Sequence, residues 1–347
     1  MNMKKWASLL LVLVMLCGVF CAQAAEEEKV LNVFTFFGYF DENTLAQFED
    51  ETGIKVNYSV FASNEEMLLK MQQAQDSYDI ILASDYAIST LRKDGMLLPL
   101  DRAKLSNWEN INPLYMDQYF DPQNVYSVPY AAGVPVIIYD PAQVEGEIKA
   151  FGDLWDEQFK DSLWLINDAR VMIGETLKML GYSYNTTDEA QINEALEKLY
   201  ALKPNVRVLD YDLTYNYLLA GEAKAAYLFT PYVALSLFEN PELEVVFPEE
   251  GIGFGIDSIV IPAQAEHPDN AHRFIDFYLR AEIAKQVAEW QVYINPNQAA
   301  DALIDPTVAS MECFHIPEEL QDNYEYVEDI GEYASLFQDA WTSFQLY

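Results

Sequence analysis

The first strongly patterned stretch, residues 30–60 (VLNVFTFFGYFDENTLAQFEDETGIKVNYSV), reads as strand, tight loop, helix and strand. β-Branched and aromatic residues fill 30–36 and run into Gly38, as a strand does on entering a turn. Asp41 predicts a helix N-cap, Leu45 and Phe48 share one helical face, and Gly53 predicts the stop. Residues 55–60 supply the second strand. A βαβ unit of this length forces a parallel pair, and ligands on such sheets sit beyond the carboxyl ends of the strands. Phe36, Phe37, Gly38 and Tyr39 stand at that end. These are rings without a catalytic side chain, suited to a flat, apolar or cationic ligand, or simply to packing in the core.

The pattern then continues. Ser63-x-x-Glu66 predicts a capping box ahead of a helix bearing Met67, Leu68 and Met71. Residues 79–83 read as a buried strand that delivers Ser84-Asp85-Tyr86 to a helix ending at Gly95. Residues 105–124 read as a surface connection, and 128–139 as two strand pieces broken at Gly133, crossing into a second block. There, 163–166 predicts a strand, 169–180 a helix stopped by Gly181, Thr186-x-x-Glu189 a further cap, and 225–229 a strand. A strand over 257–261 and a helix over 269–280 predict the return to the first block. Two α/β lobes joined by more than one crossing make a clam-shell with its ligand between them. The expected division is 29–133 plus 258–305 for one lobe and 134–257 plus 306–347 for the other. By the carboxyl-end rule, the loops at Phe36, Ser84-Asp85-Tyr86, Asp168 and Phe229 face the cleft.

Residues 1–24 do not belong to this pattern. Lys4 and Lys5 precede an apolar run from Leu9 to Phe20, and Ala22-Gln23-Ala24 fits a signal-peptidase site. The expectation is a cleaved signal peptide and a soluble protein in the periplasm. The remaining chain then holds only Cys313 and forms no internal disulfide, so the fold rests on its core. With 51% hydrophobic and 14% aromatic residues the chain can fill such a core.

The formal charge is −36 from 20 Lys+Arg and 56 Asp+Glu, and loss of the two leader lysines takes it to −38. That sign excludes a nucleic-acid partner and favours capture of cations. Rings and carboxylates are what a cationic amine requires. His267 and His272 are five apart, not the four that share a helical face, and His315 with Cys313 lacks a second pair, so no metal site is expected. No cofactor is expected either. There is no Gly-x-Ser-x-Gly, and Gly251-x-Gly253-x-Gly255 precedes a strand rather than a phosphate-binding helix. Paired carboxylates leave a secreted glycosidase as the rival from another class.

FEDETGIKVNYSVFASNEEM, YDIILASDYAISTLRKDGMLLPLD, YSVPYAAG, INDARVMIGETLKMLGYSYNTTD, GIDSIVIPA and FIDFYLRAEIAKQVAEWQVYINPNQAA resemble the corresponding stretches of the spermidine/putrescine-binding proteins that feed bacterial polyamine importers. The resemblance covers nearly the whole mature chain. It implies a type II, two-lobed periplasmic binding fold with a multi-crossing hinge, no catalysis, and delivery of the ligand to an inner-membrane ABC permease by what is expected to be a monomer. It further implies that Asp257 and Asp168 take ligand amines and that Tyr39, Ser84, Tyr86 and Tyr293 line the pocket. Phe36 and Phe229 stand where the family usually has tryptophan. Phe37 and Tyr211 replace small hydroxyl residues near the ligand. Gly255 replaces a tryptophan, Val171 an acid and Val327 a glutamine, while Asp85 adds a carboxylate where the spermidine binders are uncharged. Those departures leave the preferred amine open, and another organic cation is the alternative within the class.

Overall fold

A computed structural model of the chain describes residues 28–210, 216–317, 320 and 323–347. The expected leader and Tyr211 lie outside the described residues.

β1 (Val30–Phe36), α1 (Glu42–Thr52) and β2 (Lys55–Phe61) form the predicted parallel βαβ unit, paired from Val30–Lys55 through Phe36–Phe61. α2 (Asn64–Gln73), β3 (Ile80–Ser84) and α3 (Asp85–Lys93) follow. After several short turns the chain crosses at Val134 between β4 (Ser127–Gly133) and β5 (Pro135–Tyr139). The second block holds β6 (Leu163–Ile166), α4 (Ala169–Met179), α5 (Glu189–Leu202), β7 (Val206–Asp210), β8 (Ala225–Phe229), α6 (Thr230–Glu239) and β9 (Glu244–Val246). The chain returns in β10 (Gly253–Val260), α7 (Pro268–Tyr278), α8 (Ala281–Gln291) and α9 (Pro306–Ala309). It ends in β11 (Glu325–Tyr326) and α10 (Ala334–Leu346).

The first sheet has the order β11-β10-β3-β1-β2, with β4 on β10, and the second β7-β6-β8-β5-β9. β10 runs antiparallel to β3 and β4, and its first residues, Gly253 and Phe254, pair with β11. All of β10 therefore hydrogen-bonds into the first sheet, and the expected lobe boundary after Asp257 falls inside this strand. β1 and β3 are mostly apolar, broken by Asn32 and Thr35 in β1 and by Ser84 at the end of β3, because both faces of the sheet are covered. Leu31, Val33, Phe48, Ile80 and Leu82 pack with Phe274 and Ile275 on one side. Phe34, Phe61, Met67, Met71, Ile81 and Ile88 pack on the other, in a core that continues through Ile137, Trp164 and Tyr227 of the second sheet to Phe337 and Trp341 of α10.

The local signals hold with informative exceptions. Gly53 takes the left-handed conformation (φ 70°) that ends α1. Asp41 occupies the N-cap but makes no side-chain cap bond. Ser63 accepts the Glu66 N–H at 3.2 Å, while the Glu66 carboxylate reaches past Ser63 to the Ala62 N–H at 3.0 Å. The helix expected to be capped by Thr186 starts at Glu189 instead, because the Asp188 carboxylate accepts the Ala190 N–H at 2.8 Å, and Thr186 donates to Gln191. The connection at 105–124 is anchored rather than superficial, with Leu105, Ile111, Tyr115 and Phe120 buried. The histidines serve the fold: His267 bonds buried Asp79 at 3.0 Å, His272 accepts the Asp101 N–H at 2.9 Å, and His315 bonds the Ala309 carbonyl at 2.7 Å. Among the described residues no group of three or more His, Cys, Asp and Glu side chains is placed to hold a metal, and no helix is long and apolar enough to cross a membrane.

Candidate ligand-binding cleft

The antiparallel register of β10 against β3 sets Asp257 opposite Ser84, at the carboxyl end of β3. Its carboxylate accepts from the Ser84 hydroxyl at 2.6 Å and from the Tyr39 hydroxyl at 2.5 Å. Asn64, at the start of α2, donates to the Ser84 oxygen at 3.0 Å and so holds Ser84 with its own hydrogen turned to Asp257. Tyr39 is fixed in turn through its carbonyl, which accepts from the Tyr130 hydroxyl at 2.7 Å and the Gln291 amide at 2.5 Å. Burial pushes the Asp257 carboxyl above the usual carboxylate range, and the two hydroxyl donors oppose that push. The Tyr39 phenol is pushed well up by burial first and then by Asp257.

Rings surround this carboxylate. Phe36 and Tyr293 lie 5.3 and 5.8 Å from Tyr39, centroid to centroid. Phe229, at the end of β8 in the second sheet, converges with Tyr293 over Gly133: a Cβ there would meet the two rings at 3.9 and 3.0 Å. The crossing thus needs glycine to let rings from both blocks meet. Phe37 does not join them. It lies in the turn after β1 and is 86% exposed, whereas Phe36, the last residue of the strand, packs inward against Phe61 at 4.4 Å.

Asp168 follows β6 and caps α4, accepting the Val171 N–H at 2.9 Å. Burial raises its carboxyl pKa, while the amides of Val171 and Arg170 and the Arg170 charge pull the other way. Across the cleft Tyr86 donates to Glu65 at 3.1 Å, and its phenol is pushed up by burial, then by Glu65 and also by Asp168. The carboxyl ends of the two sheets therefore face one another. Asp85, at 1% exposure, accepts the Tyr86 N–H at 2.8 Å and lies 3.5 Å from the Ile256 N–H. Asn64, Glu65 and Arg170 were missed from the sequence. Their local context is an ordinary helix start, and only the assembled fold turns them to the cleft.

Two sheets that turn carboxylates and rings toward each other across chain crossings define a two-lobed solute-binding protein. The chain belongs to the bacterial extracellular solute-binding protein family, whose family model matches residues 43–312. It is 36% identical over 339 residues to the spermidine/putrescine-binding periplasmic protein of Escherichia coli K12, spanning 97% of each chain. A putrescine/cadaverine-binding protein of Pseudomonas aeruginosa is 28% identical over 358 residues, 99% of each chain. The solved substrate-binding protein of a Streptococcus pneumoniae spermidine/putrescine ABC transporter superposes with a TM-score of 0.82 at 33% identity, covering 92% of this chain and 99% of that one. These relatives bind solutes for transport and are not enzymes, which removes the glycosidase reading.

Proposed function

We propose that this protein captures a linear polyamine, putrescine or spermidine, by closing two lobes on it in the periplasm, and hands it to an inner-membrane ABC permease. The observation that carries the reading is Asp257: a desolvated carboxylate oriented by two hydroxyl donors and ringed by Phe36, Tyr39 and Tyr293. Asp257 in one lobe and Asp168 in the other anchor the two terminal ammonium groups. Phe36, Phe229, Tyr86 and Tyr293 line the methylene chain between them. The protein is exported by a cleaved signal peptide, residues 1–24, and acts as a monomer.

Each charge-assisted hydrogen bond contributes about 1.5–3 kcal/mol, each cation–ring contact roughly 0.5–2, and each buried methylene about 0.8. Two anchors, two rings and four methylenes give on the order of 7–13 kcal/mol before association and closure take their share. A dissociation constant of roughly micromolar order remains. Calorimetric titration of ligand-stripped protein with putrescine, spermidine, agmatine and choline tests this. Tightest binding of putrescine or spermidine supports it, and a clear preference for choline refutes it. The neutral residues Gly255, Val171 and Val327, which depart from the family pattern, leave another organic cation as the alternative within the class.

A further inference from the structure

Gly255 lies two residues before Asp257 on β10, so both positions face the cleft side of the sheet. A Cβ built on Gly255 would have nothing within 4 Å, which contrasts with Gly133 opposite it in the β4 register, where Tyr293 and Phe229 close the space. The wall is open at Gly255. Beside the opening, next to the Ile256 N–H, sits Asp85.

Asp85 is 1% exposed and accepts from backbone amides alone. No Lys, Arg or His nitrogen of the described residues lies within 4 Å of it. Arg170, whose charge reaches Asp85, gives its terminal donors to Asn185 at 2.8 Å and to the Glu328 carbonyl at 3.2 Å. A buried carboxylate without a cation is expensive to keep, and here burial and the neighbouring Asp257 both push its pKa well up. The rings of Tyr119 and Tyr326, 5.7 Å apart, lie within reach of its charge.

We propose that Gly255 and Asp85 form a side pocket of the cleft for one further ammonium group, so that a triamine is held more tightly than a diamine. The proposal rests on the polyamine reading above. Asp257 and Asp168 account for two nitrogens. Asp85 supplies the acceptor for a third, and the missing side chain at position 255 supplies the room to reach it.

Calorimetric titration of the ligand-stripped mature protein with putrescine and with spermidine tests the pocket, in the wild type, Asp85→Thr, Asp85→Asn and Gly255→Trp. Wild type should bind spermidine at least about tenfold more tightly than putrescine. Each Asp85 variant should lose about tenfold or more for spermidine and distinctly less for putrescine, and Gly255→Trp should narrow the ratio by filling the pocket. Thermal melts of the empty variants establish that they fold, and the near-isosteric Asn variant carries the test should Thr disturb α3. Equal losses for both amines, or a wild type that prefers putrescine, overturn the pocket and leave the polyamine reading standing. Binding of neither amine by the wild type overturns both.

Discussion

Glu175 lies on α4 within the core of the second lobe, fully buried. One carboxyl oxygen accepts from the Tyr227 hydroxyl at 2.9 Å and the other has no hydrogen-bond partner. Burial pushes its pKa from the ordinary 4.5 up to about 8, helped by Glu250 and opposed by the Tyr227 hydrogen bond and Lys178. The native state therefore keeps a proton that the unfolded chain releases above pH 4.5. Its contribution to stability is complete below that pH, declines by about 1.4 kcal/mol per pH unit as pH rises, and levels off above about pH 8, where the native carboxyl also ionises. At pH 7 the accumulated loss is about 3 kcal/mol. Glu175→Gln keeps the shape and the acceptor for Tyr227 but has no proton to lose. The variant should match the wild type to within about 1 kcal/mol near pH 5 and exceed it by about 3 kcal/mol at pH 7, roughly 5 °C in Tm for a chain of this size. Melting curves of both proteins at pH 5, 6, 7 and 8 measure this directly. A gap in Tm that stays constant across that range would refute the reasoning, since it would mean that Glu175 enters the core already ionised.

Asp257→Asn should weaken amine binding by at least about tenfold, the loss of one charge-assisted contact, while the empty protein melts no lower because a buried charge has been removed; unaltered affinity in titration would show that Asp257 is not the anchor. Amine binding should weaken as pH falls through the raised pKa values of Asp257 and Asp168, because the ligand needs both ionised, with Tyr39, Ser84 and Asp85 acting on the first and Arg170, Glu65 and Tyr86 on the second. Titrations at several pH values below neutral, in buffers of different ionisation enthalpy, should record proton release on binding, and its absence throughout would count against the scheme. Gly253→Ala puts a Cβ at 2.4 Å from the fully buried Tyr184 ring and should destabilise by about 1–3 kcal/mol, read as a lower Tm; an unchanged Tm would mean that the ring moves freely.

Elements were legible wherever the periodicity of a segment matches its burial. The βαβ unit at residues 30–60 is such a case, because β1 and its helix bury residues that the pattern itself marks. The carboxyl-end rule marked the loops at Phe36, Ser84-Asp85-Tyr86, Asp168 and Phe229, whereas Asp257 and Tyr293 were legible only through the resemblance. Asp257 meets Ser84 through an antiparallel register between strands 173 residues apart, and nothing local in either segment encodes that pairing. Phe36 and Phe37 carry the same chemistry, so composition cannot say which one turns inward. Thr186 and Asp188 both fit a cap, and the choice falls to the stronger acceptor. Glu175 looked like any polar residue on a helix. Its burial depends on α4 lying between β8 and the Tyr184 ring, a tertiary circumstance.

The raised pKa values also bear on how recognition couples to closure. Asp257 and Asp85 come from one sheet and Asp168 from the other, and burial raises the carboxyl pKa of each when the lobes face one another. Closing the empty cleft at neutral pH would therefore require these groups to take up protons or to sit as desolvated charges. An open cleft would lessen that penalty by returning Asp257 and Asp168 toward water. A ligand ammonium removes it in a different way, by supplying the missing positive charge at the moment the water leaves. An apolar ligand of the same length would gain its contacts with Phe36 and Phe229 but leave the carboxylates unpaired, and so could not shift the balance toward the closed form. With Asp257 and Asp168 as the proposed anchors, the ligand's charges would select it because they would permit closure, and the rings would add affinity once closure had occurred.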